Sequence, residues 1–368
     1  MEEGKRERRG SVRGLCEELK PYIYCIFSNF CYAGYNIISK IYLDKGMSRF
    51  VLVAYGHAFG TIATAILAFL FERKNDSKIS MPILRNVFFL GLLGAVLGRT
   101  MFYAGLEYTS PVLASAMVNL IPSITFILAV FCSMEKVEIS KRGSQAKIGG
   151  TLAAFAGATL MTLYSGTLLI SLHTKKHLHQ NVTSEQFLNK HWLKGSCMLV
   201  ISDIALSAFF ILQMVTVKKY PAPITLTSLT CLSGAILSTI MTAILDHKAS
   251  SWRLSWNIAL LAPIYSGVVV FGITVYIQTL VIQKKGPVFM TAFGPLSTII
   301  VAFMGLLILG DALYLGSVMG ATLIILGLYA TLWGKEKAEK LLEHTIPEGN
   351  EIKEDEEAGK SQVKEMHQ

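Results

Sequence analysis

The chain has 368 residues, of which 52% are apolar and 16% charged, with a formal net charge of +9; an ordinary soluble domain carries about 25% charged residues. Its apolar residues run in stretches of about twenty, the length that crosses roughly 30 Å of hydrocarbon, which excludes a string of soluble domains and points to a polytopic membrane protein. Nucleic acid is not implied by the positive charge, because Lys and Arg are scattered through short loops without an aromatic-interleaved patch.

The hydrophobic pattern predicts ten membrane helices, at 21–42, 48–71, 86–106, 111–132, 146–165, 194–216, 223–245, 256–281, 287–309 and 313–333. They divide the chain into a basic tail (1–18), a first set of five helices (19–166), a polar outer loop (167–193), a second set of five (194–334) and a charged tail (335–368). Both tails are expected to be solvated and disordered. The first apolar run is too long for a cleavable signal, and a polar segment precedes it.

Lys and Arg counts orient the helices. With the N-terminus in the cytoplasm, the inner segments hold 24 and the outer loops 8; without the tails the ratio is 12 to 8. Both termini are then cytoplasmic. Asn181-Val182-Thr183, a glycosylation sequon, falls in the long outer loop and agrees with this orientation.

A duplication runs through the chain. The stretch 110–135 opens on Ser110-Pro111 and closes on Glu135, and 286–311 opens on Gly286-Pro287 and closes on Asp311, each landmark displaced by 176 residues. Within them Ser115 matches Thr291, Ala116 matches Ala292 and Leu120 matches Leu296. Gly150 and Gly157 are echoed by Gly320 and Gly327 with the same spacing of seven. Because five is odd, the second set of helices enters the membrane upside down relative to the first. Inverted repeats of this kind are the architecture of secondary transporters, with substrate held near the midplane between the halves.

Polar side chains inside the spans are the candidate site, since lipid offers them no partners. Arg99, deep in the third span with Tyr103 beyond it, is read as a cation for a substrate carboxylate, with a structural ion pair to Asp203 as the alternative. Asp203 is itself either that partner or a proton carrier. Asn29, Tyr32, Asn36 and Ser39 fall at helical spacing on the first span and read as pathway lining or as interhelical hydrogen bonding. Asn119, Gln213, Tyr276 and Gln278 complete the substrate-contact candidates. Pro122 and Gly294-Pro295 interrupt the two duplicated helices, as hinges that free carbonyls or as packing kinks. Gly94-xxx-Gly98 and Gly316-xxx-Gly320 allow close helix approach, within the monomer or at a homodimer seam.

Other chemistry has little support. Cys16, Cys25, Cys31, Cys132, Cys197 and Cys231 lack metal-ligand spacing and read as small buried hydrophobes. His173, His177 and His179 read as a solvated loop, and Glu135 and Asp311 as caps at the membrane edge. With no phosphate-binding Gly-rich loop, nucleophile elbow or metal set, neither an enzyme nor a cofactor is expected.

The stretches YAGYNIISK, GLEYTSPVLASAMVNLIPSITF, KKYPAPITLTSLTC, GPVFMTAFGPL and LGDALYLGSVMGATLIILGLYATLWGK resemble the plant EamA-type transporters, the nodulin-like, walls-are-thin-related branch of the drug/metabolite transporter superfamily. These are also called the usually-multiple-acids-move-in-and-out transporters. The likeness covers about 20–335 and implies an all-α membrane protein of ten transmembrane helices, built as two inverted five-helix EamA repeats. It implies export or facilitated passage of amino acids, with auxin or another organic acid as the alternative and a non-transporting scaffold or receptor behind both. The membrane implied is the plasma membrane, with the vacuolar membrane second. Relatives usually carry arginine where this chain has Gly56 and asparagine where it has Gly294.

Overall fold

The computed structural model describes residues 2–43, 48–73, 79–109, 114, 117–135, 141–164, 168–170, 190–245, 252, 260–304, 307 and 313–337. Helix α1 covers Glu2–Leu43, α2 Arg49–Phe71, α3 Met81–Leu106, α4 Ile121–Phe131 and α5 Arg142–Leu163. The second half repeats the order with α6, Lys190–Lys219, α7, Pro223–Leu245, and α8, α9 and α10 at Leu261–Lys285, Pro287–Met304 and Leu315–Lys337. A short antiparallel ribbon joins β1 (Leu168–Ile170), beyond the end of α5, to β2 (Leu313–Tyr314), at the start of α10.

Seven of the described helices, α2, α3 and α6 to α10, are long and apolar enough to cross a membrane. Inside a bilayer the backbone has no water to bond, so a helix, which satisfies itself, is the favoured form. The polarity is that of a protein in lipid: Ile62, Ile66, Phe69 and Leu70 are exposed, while Ser28, Thr64, Ser202 and Thr216 are buried. Buried hydroxyls bond back along their own helices, as Thr64 does to the Gly60 carbonyl (2.6 Å) and Thr279 to that of Val275 (2.8 Å).

Two boundaries differ from the sequence expectation. α1 begins at Glu2, within the basic tail, and no proline intervenes before Pro21. α10 continues to Lys337, because Lys335 is bound into the fold rather than solvated. Asp311, the 171–189 loop with its histidines and sequon, and the tail beyond 337 lie outside the described residues.

Three helices of the first half pack on their own counterparts in the second. On the α2–α7 seam His57 meets Gly234 and Gly60 meets Cys231. On the α4–α9 seam Asn119 meets Thr298 and Pro122 meets Gly294. On the α5–α10 seam Gly143 meets Gly334, Gly150 meets Gly327 and Gly157 meets Gly320. In each of these three pairs one number rises as the other falls, so each helix lies antiparallel to its own counterpart. The remaining seams, α1 with α8 and α3 with α6, exchange under the same twofold relationship. The echoed glycines therefore touch each other: a Cβ on Gly157 would stand 2.8 Å from the Gly320 carbonyl oxygen. Gly94 and Gly98 likewise accept Phe209 and Leu206 of α6, so this small-residue stripe is used within the monomer.

Gly286-Pro287, one of the duplicated landmarks, is the reversal between α8 and α9. Gly286 has φ +85°, a left-handed conformation that costs glycine little, and its N–H closes α8 on the Ile282 carbonyl. Pro287 then begins α9, where a missing N–H is no loss.

Candidate substrate site

Two helices carry a feature that helical periodicity alone does not announce. Leu92–Thr100 of α3 and Tyr265–Thr274 of α8 are π-helical, at corresponding places in the two halves. Each stretch ends on a threonine whose hydroxyl donates five residues back, Thr100 to the Ala95 carbonyl (3.0 Å) and Thr274 to that of Val269 (2.9 Å). π-turns concentrate at functional sites, and Arg99 is the penultimate residue of the first.

Between the halves lies a narrow cleft, partly open to solvent, with a cavity volume of about 50 Å³. Helices α1, α2 and α3 line it from one side and α6, α7 and α8 from the other. Half-buried Arg99 reaches into this cleft. Its guanidinium lies 5.3 Å from the Tyr32 ring centroid, 5.4 Å from Phe271 and 5.8 Å from Tyr35. The cage is braced behind: the Tyr35 and Tyr103 hydroxyls are hydrogen-bonded at 2.8 Å, and His57 stacks on Phe271 at 3.9 Å with Nδ1 2.8 Å from the Val53 carbonyl. Gln278 donates from Nε2 to the Tyr32 hydroxyl at 3.4 Å.

The family profile of the EamA-like transporters matches residues 19–163 and 193–333, one copy in each half. The chain belongs to the EamA-like transporter family. A WAT1-related protein of Arabidopsis thaliana is 42% identical over 369 residues, covering 97% of this chain and 92% of its own. A second from the same plant is 39% identical over 322 residues, covering 88% and 84%. One solved crystal structure shares the fold, with a TM-score of 0.65 and 13% identity over 87% of this chain and 98% of its own. This EamA transporter is thus a multi-pass membrane protein that moves small solutes.

The sequence candidates separate into three groups in this EamA transporter. Tyr32, Arg99 and Gln278 line the cleft, with Tyr103 behind them. Asn119, Pro122 and Pro295 line a second, smaller cavity of about 10 Å³ at the crossing of α4 and α9, where the Thr298 hydroxyl donates to Asn119 Oδ1 (3.3 Å) and Gly294 faces Pro122. The others line neither space. Gln213 Nε2 donates to the Thr279 hydroxyl at 2.7 Å, tying α6 to α8. Tyr276 is half-buried on α8. Asn36 is exposed, on the flank of the α1 face that buries Ser28, Tyr35 and Ser39, so the polar stripe continues from Tyr32 to Ser39 without it.

No ion pair forms between Arg99 and Asp203. Ser202 is one of the α6 residues that face α3, its hydroxyl donating to the Gly98 carbonyl at 2.7 Å. Asp203 stands about 100° further round the helix, on the side where Ser207 donates to the Ile121 carbonyl of α4 (3.3 Å). Sequence reasoning missed His57 and Phe271, which line the cleft, and buried Tyr35, whose ring lies beside Arg99. Only His57 carried a signal, as a titratable side chain within an apolar span. Gly56 lies close against α8: a Cβ there would stand 2.7 Å from the Phe271 ring. The cation beside that ring is Arg99 of α3.

Proposed function

We propose that this transporter carries small carboxylate-bearing solutes, most directly amino acids, by alternating access between its two halves. The observation that supports this is Arg99, caged by aromatic rings in a cleft between the halves and paired with no carboxylate among the described residues. Placing a guanidinium in a membrane costs at least ~2.5 kcal/mol, and each aromatic face returns about 0.5–2 kcal/mol. Ring faces do not saturate its five N–H donors. A carboxylate entering the cleft would accept two of them side by side, with Gln278 and the Tyr32 hydroxyl to orient the rest of the solute.

In this reading all ten helices cross the membrane, α1, α4 and α5 included, and 19–166 and 194–334 are the inverted EamA repeats between a basic tail, an outer loop and a charged tail. The excess of Lys and Arg in the inner segments supports cytoplasmic termini. The plasma membrane is its place, with the vacuolar membrane the alternative. One chain supplies every wall of the cleft, so a homodimer is not required.

A second reading has one observation in its favour. Among the described residues the cleft lining includes no Asp or Glu to receive a solute ammonium, which suits a carboxylic acid on an apolar or aromatic body, an auxin-like molecule among them. Proteoliposome uptake of labelled neutral amino acids beside a labelled aromatic carboxylic acid separates the two. Arg99→Ala is expected to lower uptake by about 10- to 150-fold, the value of 1.5–3 kcal/mol for hydrogen bonds to a charged group, at normal surface expression. Undiminished uptake by that variant would remove the basis for the proposal.

A further inference from the structure

Asp203 lies outside the cleft. Its side chain is 1% exposed, and neither carboxylate oxygen has a hydrogen-bond partner among the described residues. It stands on α6, in the second half, on the side of that helix that meets α4 of the first half, so the carboxyl sits at the seam between the halves.

We infer that Asp203 is a proton-binding site, taking up and releasing one proton per transport cycle and so coupling solute movement to the proton gradient. The inference rests on the alternating-access reading above. Helix α6 packs against α3, α4, α8 and α9. The titratable and charged side chains described on α3 are Arg85, Arg99 and Tyr103, with Tyr108 just beyond its end; on α8 they are Tyr265, Tyr276, Lys284 and Lys285, and α4 and α9 offer none. On α6 itself Lys194, Cys197, Lys218 and Lys219 lie towards the ends. None of these pairs with Asp203, and Arg99 is held by rings on the cleft side.

An ionised carboxylate with neither a cation nor a hydrogen-bond donor cannot be held in a membrane interior at acceptable cost, whereas the neutral acid can. With the seam closed, the group therefore keeps its proton. Water reaches it only when α6 parts from α4, which is what rocking one half against the other accomplishes. The step balances simply: a proton joins a carboxylate oxygen from one side of the membrane, and the same O–H bond releases it to the other.

Two arms test this on the full-length chain with wild type and Asp203→Asn, which mimics the neutral acid and is expected to fold with unchanged thermal stability. In nanodiscs, infrared difference spectra between acid and alkaline buffer should show the carbonyl stretch of a protonated carboxyl in wild type and its loss in Asp203→Asn; identical spectra overturn the assignment. In proteoliposomes with labelled neutral amino acids, wild type should accumulate label in response to an imposed pH gradient, while Asp203→Asn exchanges label across the membrane without accumulation. Wild-type exchange that ignores the gradient refutes the coupling. If no amino acid moves at all, the substrate reading fails on its own and the infrared arm still decides the proton site. A large loss of thermal stability in Asp203→Asn would also count against the inference, because it would mean that the native group is ionised and held by a partner.

Discussion

Glu135 and Lys335 meet at 3.2 Å although 200 residues separate them, and the other oxygen of Glu135 lies 2.6 Å from Lys147 Nζ. Lys335 also donates to the Lys285 carbonyl at the end of α8. Ser133, at φ 55°, turns the chain after α4 so that the Met134 and Glu135 N–H groups both reach the Ala129 carbonyl, which points the carboxylate inward. Glu72 makes a comparable tie from the end of α2, accepting the Ile224 and Thr225 N–H groups at 2.9 and 2.7 Å at the N-terminus of α7. Two carboxylates of the first half thus fasten the second half at one end of the bundle.

Glu135→Gln removes the charge that keeps two buried ammonium groups together. Breaking a buried pair from one side costs ~3–5 kcal/mol; with Glu135 13% exposed, the expected loss is about 1–3 kcal/mol. Burial works to raise the Glu135 carboxyl, but Lys335 and Lys147 outweigh it and hold the group below the usual carboxylate range. A depressed folded-state value makes the stabilisation complete above the ordinary carboxylate range and removes it as pH falls through the folded value. Thermal unfolding of purified protein over a pH series should show wild type converging on Glu135→Gln in acid and separating from it near neutrality.

At the α5–α10 seam, backbone contact leaves no space for a methyl group. A Cβ on Gly327 would stand 2.6 Å from the Gly150 carbonyl oxygen, whereas Gly149, one residue away on α5, has nothing within 4 Å. Gly327→Ala must push the two helices apart, at a cost of about 1–3 kcal/mol. Gly149→Ala should be neutral or stabilising by up to ~1 kcal/mol, since alanine is the better helix former. Melting temperatures of the two variants in the same detergent compare them directly.

How much of this was legible follows from which forces act locally. The repeat could be read because its landmarks do structural work: Gly286-Pro287 is a chain reversal, and the glycines at 150, 157, 320 and 327 form one backbone contact surface. Helices could be read because lipid leaves the backbone little else. The π-turns could not, since the choice between bonding four or five residues back is made by tertiary packing and leaves no periodic mark. Arg99 stood out by its charge, but its cage did not: Tyr35 and Phe271 look like any aromatic core residue until α1, α3 and α8 come together. Pairing Arg99 with Asp203 failed because sequence does not say which face of α6 meets α3.

The two π-turn threonines provide a test of that packing. Thr100→Val and Thr274→Val keep shape but remove the hydroxyl that bonds five residues back, each expected to cost about 0.5–1.5 kcal/mol. Because Thr100 adjoins Arg99 and Thr274 does not, both should lower thermal stability alike, while only Thr100→Val should also raise the KM for transported solute.

The hydrogen bond between Tyr35 and Tyr103 sets the angle of a ring beside Arg99, behind the residues that line the cleft. Tyr35→Phe keeps the ring and removes one hydroxyl; Tyr103→Phe removes the other. If the bond acts by holding the cage in place, each variant should raise KM by about 2- to 12-fold, the equivalent of 0.5–1.5 kcal/mol, and leave the maximal rate nearly unchanged. The double variant should be no worse than either single one, because all three lack the same bond. Additive losses in this cycle would show instead that the hydroxyls act separately, one of them directly on the solute.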